Sequence, residues 1–471
     1  MNFKVGAPEG TYSAYILPFS GNNLPERYLG RYPELKDFPL PEKEKSAATL
    51  AGGQRVLTVC MDENGHEKRT ADTFRKAFSD HKKFLGDAPV IDLSECGALT
   101  EPAMRGLALS DYKIGTFKEA ERMDTDPGET TVYYLGGSPE TAEEASVRAD
   151  VQMRIMHLVD LPAADKTPEM LGDFAAESAR RFGYQCEVWD KSKLEHLGMH
   201  AINAVGRGSD RPPVLIISRY RGKPEDKTVH AAVLGKGVTF DTGGISIKPS
   251  ENLHYMKCDM AGGAAALGAV EVAARLKLRV NLTVVVPAAE NAVDARSFLP
   301  GDVIHSYSGK TIEILNTDAE GRLILADALA WTVKHEKPAT IVDLATLTGS
   351  AVRALGKEAA ALYSDDLKLR DALMKAGEHT GDKLWPMPLS SDYDHHLHSD
   401  IADVSNLSQN PTAGSVAAAK FLQVFTDKHP SWAHIDMAGP SFTDSPFAKM
   451  KSASGYGVQL LFEFLRKTAA N

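Results

Sequence analysis

Asn316-Thr-Asp-Ala-Glu-Gly-Arg-Leu323 joins two stretches of different periodicity. Before it, Thr311-Ile-Glu-Ile-Leu315 alternates and is β-branched, so it reads as a strand. After it, Leu323-Ile-Leu-Ala-Asp-Ala-Leu-Ala-Trp-Thr-Val333 is rich in Ala and Leu and reads as a helix. The octet is then a strand-to-helix turn, where open α/β sheets form their ligand sites. Asp318, Glu320 and Arg322 share that turn. Two carboxylates and a guanidinium this close can bind a metal and an anion together. Helix capping competes with that reading, because Asn and Asp cap and Glu favours the first turn. Capping accounts for the two acids but not for Arg322, whose charge opposes the dipole there. On the octet alone, both readings stand.

Strands alternate with helices on either side of the turn. Val229-His-Ala-Ala-Val-Leu234 is continuous and apolar, as a buried strand is. It ends in Gly235-Lys-Gly237, a tight turn. Gly183–Trp189, Pro213–Tyr220, Asn281–Val286 and Thr340–Thr346 are further strands. Ala261–Ala274 is a helix of small residues suited to close packing on a sheet. The pattern predicts an α/β protein whose larger C-terminal domain has a mostly parallel central sheet flanked by helices. Residues 1–140 carry strands at Val56–Cys60, Ala88–Leu93 and Thr131–Leu135 and a helix at Thr70–Phe78, which predicts a smaller α/β domain without recognisable chemistry. An acidic-to-amphipathic helix at 141–165 connects it to residues 166–471, where Pro168 opens the next helix.

Val233-Leu-Gly-Lys-Gly-Val-Thr-Phe-Asp-Thr-Gly-Gly-Ile-Ser-Ile-Lys248 and Met256-Lys-Cys-Asp-Met-Ala-Gly-Gly263 add Lys236, Asp241, Lys248 and Asp259. With the octet, Thr346-Leu-Thr-Gly349 and Trp432-Ala-His-Ile-Asp-Met-Ala-Gly439, these segments resemble the leucyl aminopeptidase family of two-metal exopeptidases. The resemblance is strong from about residue 150 onward and faint before it. It implies that Lys236, Asp241, Asp259 and Glu320 hold one divalent metal and that Asp241, Asp318 and Glu320 hold the other. Zinc or manganese suits such a site, and so do magnesium and cobalt. Lys236 must then lose its proton to offer a lone pair. Two such ions make water a hydroxide near neutral pH. By the resemblance, Lys248 stabilises the oxyanion, and Arg322 holds a bicarbonate ion that shuttles protons. Met256, Thr346, Thr348, Gly349 and Ala438 line the pocket for the first side chain. The implied reaction is release of an N-terminal residue such as Leu or Met from peptides, by a cytoplasmic homohexamer.

The four acids together carry the charge that two divalent cations balance, whereas each alone reads as a surface residue. Ser452–Val458 departs from the family's Gly-Arg-Pro pattern, and the loop Asn406–Val416 is also unlike it. Those departures bear on side-chain preference, so a dipeptidase acting on substrates such as Cys-Gly remains an alternative. A family member serving as a scaffold or nucleic-acid-binding protein is another.

Composition narrows these choices. Across 471 residues the net charge is −10, which speaks against wholesale binding of a phosphate backbone. No apolar run suits a membrane span, and the first residues do not read as a signal peptide. Cys60, Cys96, Cys186 and Cys258 are scattered, as in reduced cytoplasmic proteins. Asp394-His-His-Leu-His398 fits no metal-ligand spacing and reads as a solvated helical face. His-Glu-x-x-His and Gly-x-Ser-x-Gly are both absent.

Overall fold

The computed structural model describes residues 1–7, 13–62, 66–114, 117–118, 130–410 and 412–470. The described chain divides into two compact units, Met1–Met153 with His379–Gly381, and Arg154–Glu378 with Asp382–Asn471. The helix expected at 141–165 runs from Pro139 to Asp160, and the division falls inside it.

The first unit is built on six strands: β1 (Asn2–Val5), β2 (Tyr15–Ser20), β3 (Ser46–Ala51), β4 (Gln54–Met61), β5 (Val90–Asp92) and β6 (Thr131–Leu135). Their order is β1-β6-β5-β2-β4-β3, parallel except for β3 against β4. Alternation sends Ile16, Leu57 and Val59 to one core with Phe74, Phe78 and Met104. It sends Tyr15, Leu17 and Phe19 to the other with Tyr28 and Tyr32. Central β2 contains Pro18, a residue that usually argues against a central strand. Ala14 O accepts from Val90 N, so every second residue after Ala14 turns its backbone polar groups toward β5. Pairing with β5 stops at Ile16, so the missing N–H of Pro18 faces a stretch without a partner strand.

The second unit contains β7 (Gln185–Trp189), β8 (Val214–Arg221), β9 (Ala231–Gly235), β10 (Gly237–Asp241), β11 (Asn281–Asn291), β12 (Val303–His305), β13 (Thr311–Glu313), β14 (Ile341–Ala345), β15 (Ala360–Tyr363), β16 (Leu384–Pro386), β17 (Val404–Ser405) and β18 (Trp432–Asp436). The main sheet runs β16-β15-β18-β14-β9-β11-β8-β7, with β10 also paired to β11. Its centre, β18-β14-β9-β11 with β10, is parallel, while β15, β8 and β7 enter antiparallel. The sheet is therefore mixed at its flanks, and its antiparallel pairs are joined by long connections that carry helices.

Helices cover both faces. Gly321–His335 packs on the face carrying Ala232, Leu234 and Val285. Ala261–Arg275 lies against Leu344 and Val286 on the other. It approaches so closely that a Cβ on Gly262 would stand 2.2 Å from Leu344 O, which is why that helix begins with glycines. Asp327 anchors the first helix from behind. Its Oδ2 accepts from Ala201 N and Ile202 N and its Oδ1 from Tyr307 N. The strand expected at Thr311–Leu315 ends at Glu313: Ile314 N still donates to Asp302 O in register, but Ile314 O accepts from Gly301 N, so the pairing slips by one residue there. Among the described residues, no helix is long and apolar enough to cross a membrane.

Candidate metal centre

Parallel strands β9, β10, β11, β14 and β18 end on the same side of the sheet, and the chemistry collects there. Lys236 follows β9, Asp241 closes β10, Thr346 follows β14, and Ala438 comes just after β18. Asp259 sits just before the helix that starts at Ala261, and Glu320 immediately before the one that starts at Gly321.

Asp241, Asp259 and Glu320 each offer one carboxylate oxygen, and these atoms lie within 4.8 Å of one another. Among the described residues, no other three His, Cys, Asp or Glu side chains converge in this way. Lys236 Nζ stands 2.7 Å from Asp259 Oδ2 and 2.8 Å from Glu320 Oε1. Lys248 Nζ stands 2.7 Å from Asp241 Oδ2 and also pairs with Asp318 Oδ1. Gly321 is required by this packing, since a Cβ there would lie 2.5 Å from Lys236 Cε.

The capping reading of the octet does not hold for Glu320. It occupies the N-cap position, but its side chain makes no cap hydrogen bond. Asn316 does turn its Oδ1 onto Asp318 N at 2.7 Å. Thr317 ties the turn to the 242–248 loop: its Oγ1 donates to Gly243 O and accepts from Ser246 N.

Four carboxylates face two ammonium groups, leaving two negative charges uncompensated in a mostly buried space. Burial, then the charge of Glu320, pushes the Asp241 carboxyl up to about 7. Burial also raises Asp259 and Asp318. Glu320 moves the other way, because Lys236 and Lys248 more than offset its burial. Burial would lower Lys236, but Asp259, Glu320 and Asp241 hold it above its ordinary value. Glu320 Oε2 is buried without a hydrogen-bond partner among the described residues, and the lysine contacts to Asp259 Oδ2 and Glu320 Oε1 lack hydrogen-bond geometry. Unsatisfied carboxylate oxygens and excess negative charge are what hard divalent cations answer, so the donor set fits such ions.

A cleft of about 420 Å³ opens onto this cluster. It is lined by Lys236, Asp241, Lys248, Met256, Asp259, Asp318, Thr346, Thr348, Gly349 and Ala438, ten of the twelve side chains expected at the site. Glu320 and Arg322 do not line it and lie deeper, 1% and 4% exposed. Arg322 Nη1 donates to Asn406 O at 2.8 Å, while Nε has no hydrogen-bond partner among the described residues. Burial pushes Arg322 down to about 10. A larger cleft, about 680 Å³, lies beside Asp394, His395 and His398, but its polar groups pair with each other: Lys420 with Asp394 at 2.6 Å and Gln423 with Asp365 at 2.8 Å. The solvated face expected at 394–398 is only partly so, because His396 is buried and its Nδ1 meets Ser408 Oγ at 2.6 Å.

Three residues not foreseen from the sequence hold the site in place. Asn291 Nδ2 donates to Asp241 Oδ1 at 2.8 Å. Asn406 Oδ1 accepts from Leu315 N, and its Nδ2 donates to Asn316 O, fixing the entry to the octet. In the unusual loop that begins at Asn406, Pro411 lies outside the described residues. Asp436 accepts from Leu347 N, Thr348 N, Thr348 Oγ1 and Ala438 N, joining two walls of the cleft. Asp436 lies in the Trp432–Gly439 segment that carries the resemblance, but no role was read for it there, and no short motif marks Asn291 or the role of Asn406.

The chain is similar to known proteins over most of its length. The model of the "Cytosol aminopeptidase family, catalytic domain" matches residues 154–462. A probable cytosol aminopeptidase of Chlorobium limicola is 44% identical, the match covering 83% of this chain and 78% of that protein. One of Protochlamydia amoebophila is 42% identical, covering 96% and 95%. Among solved structures, the bottromycin maturation enzyme BotP in complex with Mn superposes with a TM-score of 0.85 at 30% identity, covering 98% of this chain and 100% of that one. The cytosol aminopeptidase of Coxiella burnetii superposes with a TM-score of 0.84 at 29% identity, covering 99% of each. The chain belongs to the cytosol aminopeptidase family and is a metal-dependent aminopeptidase of the leucyl aminopeptidase type.

Proposed function

We propose that this aminopeptidase removes apolar N-terminal residues such as Leu or Met from peptides at a two-metal site. The observation that carries the reading is the convergence of Asp241, Asp259 and Glu320 at the base of a cleft that Asp241, Asp259, Met256 and Thr348 line. Lys236, Asp241, Asp259 and Glu320 would hold one ion, and Asp241, Asp318 and Glu320 the other, as zinc or manganese. Such ions supply Lewis-acid polarisation of the scissile carbonyl and an acidified water near neutral pH.

The rest falls to the chain. Lys248, which reaches the cleft from the 242–248 loop, offers its ammonium to the developing oxyanion. Arg322 has an Nε without a hydrogen-bond partner among the described residues, a donor that suits an anion, and bicarbonate bound there would move protons. Met256 and the 346–349 segment form an adaptable apolar wall for the first side chain. The protein works in the cytoplasm, a proposal supported by its relatives' being named cytosol aminopeptidases, and as a homohexamer, which the family resemblance implies.

The test is hydrolysis of leucine p-nitroanilide, Leu-Gly and Cys-Gly by the purified protein with Mn²⁺, with Zn²⁺ and with chelator. Cleavage of the leucine substrates that chelator abolishes is expected. Faster cleavage of Cys-Gly would overturn the proposed preference, and no cleavage under any metal would overturn the reaction.

The raised acids and the protonated Lys236 fix a sign for metal uptake. Each must shed its proton to bind an ion, so affinity rises with pH, by up to about tenfold per pH unit for each proton displaced. Titrating Mn²⁺ into chelator-treated protein at pH 6.5, 7.5 and 8.5 checks this. A flat profile would mean that Lys236 and the acids release no protons on binding.

A further inference from the structure

We infer that Asn291 is a positioning residue for the metal centre: it sets the orientation of the Asp241 carboxylate and locks β10 to the Asp318 turn. The inference rests on the two-metal reading above and adds a residue to it. Asn291 closes β11, is fully buried, and lies opposite Asp241 in the β10–β11 register, where the pairing is irregular between Val238 and Asp241. An irregular ladder leaves the last residue of β10 without regular strand pairing to fix its side chain.

Asn291 supplies that constraint. Its Nδ2 donates to Asp241 Oδ1 at 2.8 Å and to Thr317 O at 3.1 Å. Both amide hydrogens are therefore used, on two acceptors from different parts of the chain. The reverse amide orientation would set an oxygen against a carboxylate and a carbonyl, so the partners fix the assignment. Its own carbonyl O accepts from Thr242 N and Thr242 Oγ1, gripping the residue after Asp241 as well. Gly243 N also donates to Asp241 Oδ1, at 2.9 Å. With Oδ1 occupied twice, Oδ2 is the atom that meets Lys248, which also pairs with Asp318. Thr317 neighbours Asp318, so one side chain sets the spacing between an acid at the end of β10 and an acid on the octet.

Groups behind a ligand are often worth 10–100-fold in metal affinity. Asn291→Ala should weaken Mn²⁺ binding by about that factor and shift the Mn²⁺ concentration for half-maximal activity equally. At saturating Mn²⁺, kcat should return to within a few-fold of the parent. Ser178→Ala is the control. It also removes a buried hydrogen bond, Ser178 Oγ to Glu271 Oε2 at 2.7 Å, but away from the cleft, and should leave Mn²⁺ affinity unchanged. Calorimetric Mn²⁺ titration of the three proteins, with their unfolding midpoints, reads this out. A folded Asn291→Ala that binds Mn²⁺ like the parent overturns the inference, and so does an equal loss in Ser178→Ala. If the parent binds no Mn²⁺, the two-metal reading fails instead. If Asn291→Ala does not fold, Asn291→Ser, which keeps a shorter donor, takes its place with the same outcomes.

Discussion

Glu320→Gln yields a folded protein that retains almost no metal and loses about 10³-fold or more in turnover, the scale of removing the main electrostatic stabiliser. Glu320 is the acid in the cluster whose carboxyl is held below its ordinary range, so it remains charged while Asp241, Asp259 and Asp318 are pushed toward protonation. Its Oε1 meets Lys236, and its Oε2 has no hydrogen-bond partner among the described residues. An amide of the same shape keeps one acceptor oxygen but loses the charge that both proposed ions share. Stability should move the other way. Glu320 raises Asp241 and Asp259 by repulsion, so in chelator the variant should unfold at the same temperature as the parent or higher. Metal analysis, kcat and a melting curve on one sample test the claim. A variant that keeps two ions, or keeps its rate, would remove Glu320 from the centre.

Lys248→Ala should lower kcat by about 10²–10³-fold, equivalent to about 2.7–4 kcal/mol, while metal content stays at the parent level. Lys248 reaches Asp241 Oδ2 and Asp318 Oδ1, yet it also lines the cleft with 21% of its side chain exposed. It can therefore meet substrate, which the buried Lys236 cannot do as freely. Burial would lower its charge, and Asp241, Glu320 and Asp318 keep it protonated, the form an oxyanion requires. KM should change little, because the interaction strengthens only as negative charge develops. Lys248→Arg should rescue poorly, since a planar fork does not reproduce a compact point charge. Loss of metal from Lys248→Ala would show that the lysine serves the acids rather than the reaction.

The centre was legible in the sequence where its chemistry is local. Asp318, Glu320 and Arg322 lie within one turn, and Lys236, Asp241 and Lys248 lie within one short stretch around β10. Glycines around them mark places where backbone must come close, as Gly321 does over Lys236. The supporting residues were not legible, because their partners lie far along the chain. Asn291 bonds Asp241 from 50 residues away, Asn406 bonds Arg322 from 84, and Asp436 bonds Thr348 from 88. Asparagine in a strand or loop has no signature that separates a clamp from a turn residue.

In the smaller unit, β1, β2 and β3 went unread for local reasons. Pro18 argues against a central strand, and only the early end of β5 explains why it is tolerated. The larger sheet was expected to be mostly parallel, and its centre is; that β15, β8 and β7 pair antiparallel was not legible, since periodicity carries no direction.

Thr346 belongs to both the proposed substrate pocket and the proposed metal centre. Its Oγ1 donates to Asp259 Oδ1 at 2.7 Å, its carbonyl accepts from Lys236 Nζ at 3.1 Å, and it lines the cleft. On that proposal, selection for a new peptide that changed this residue would also disturb Asp259 and Lys236. Met256 and Val352 line the same cleft without side-chain bonds to the acids. Evolutionary drift in diet should therefore be recorded at those two positions, with Thr346 held fixed across lineages that eat differently.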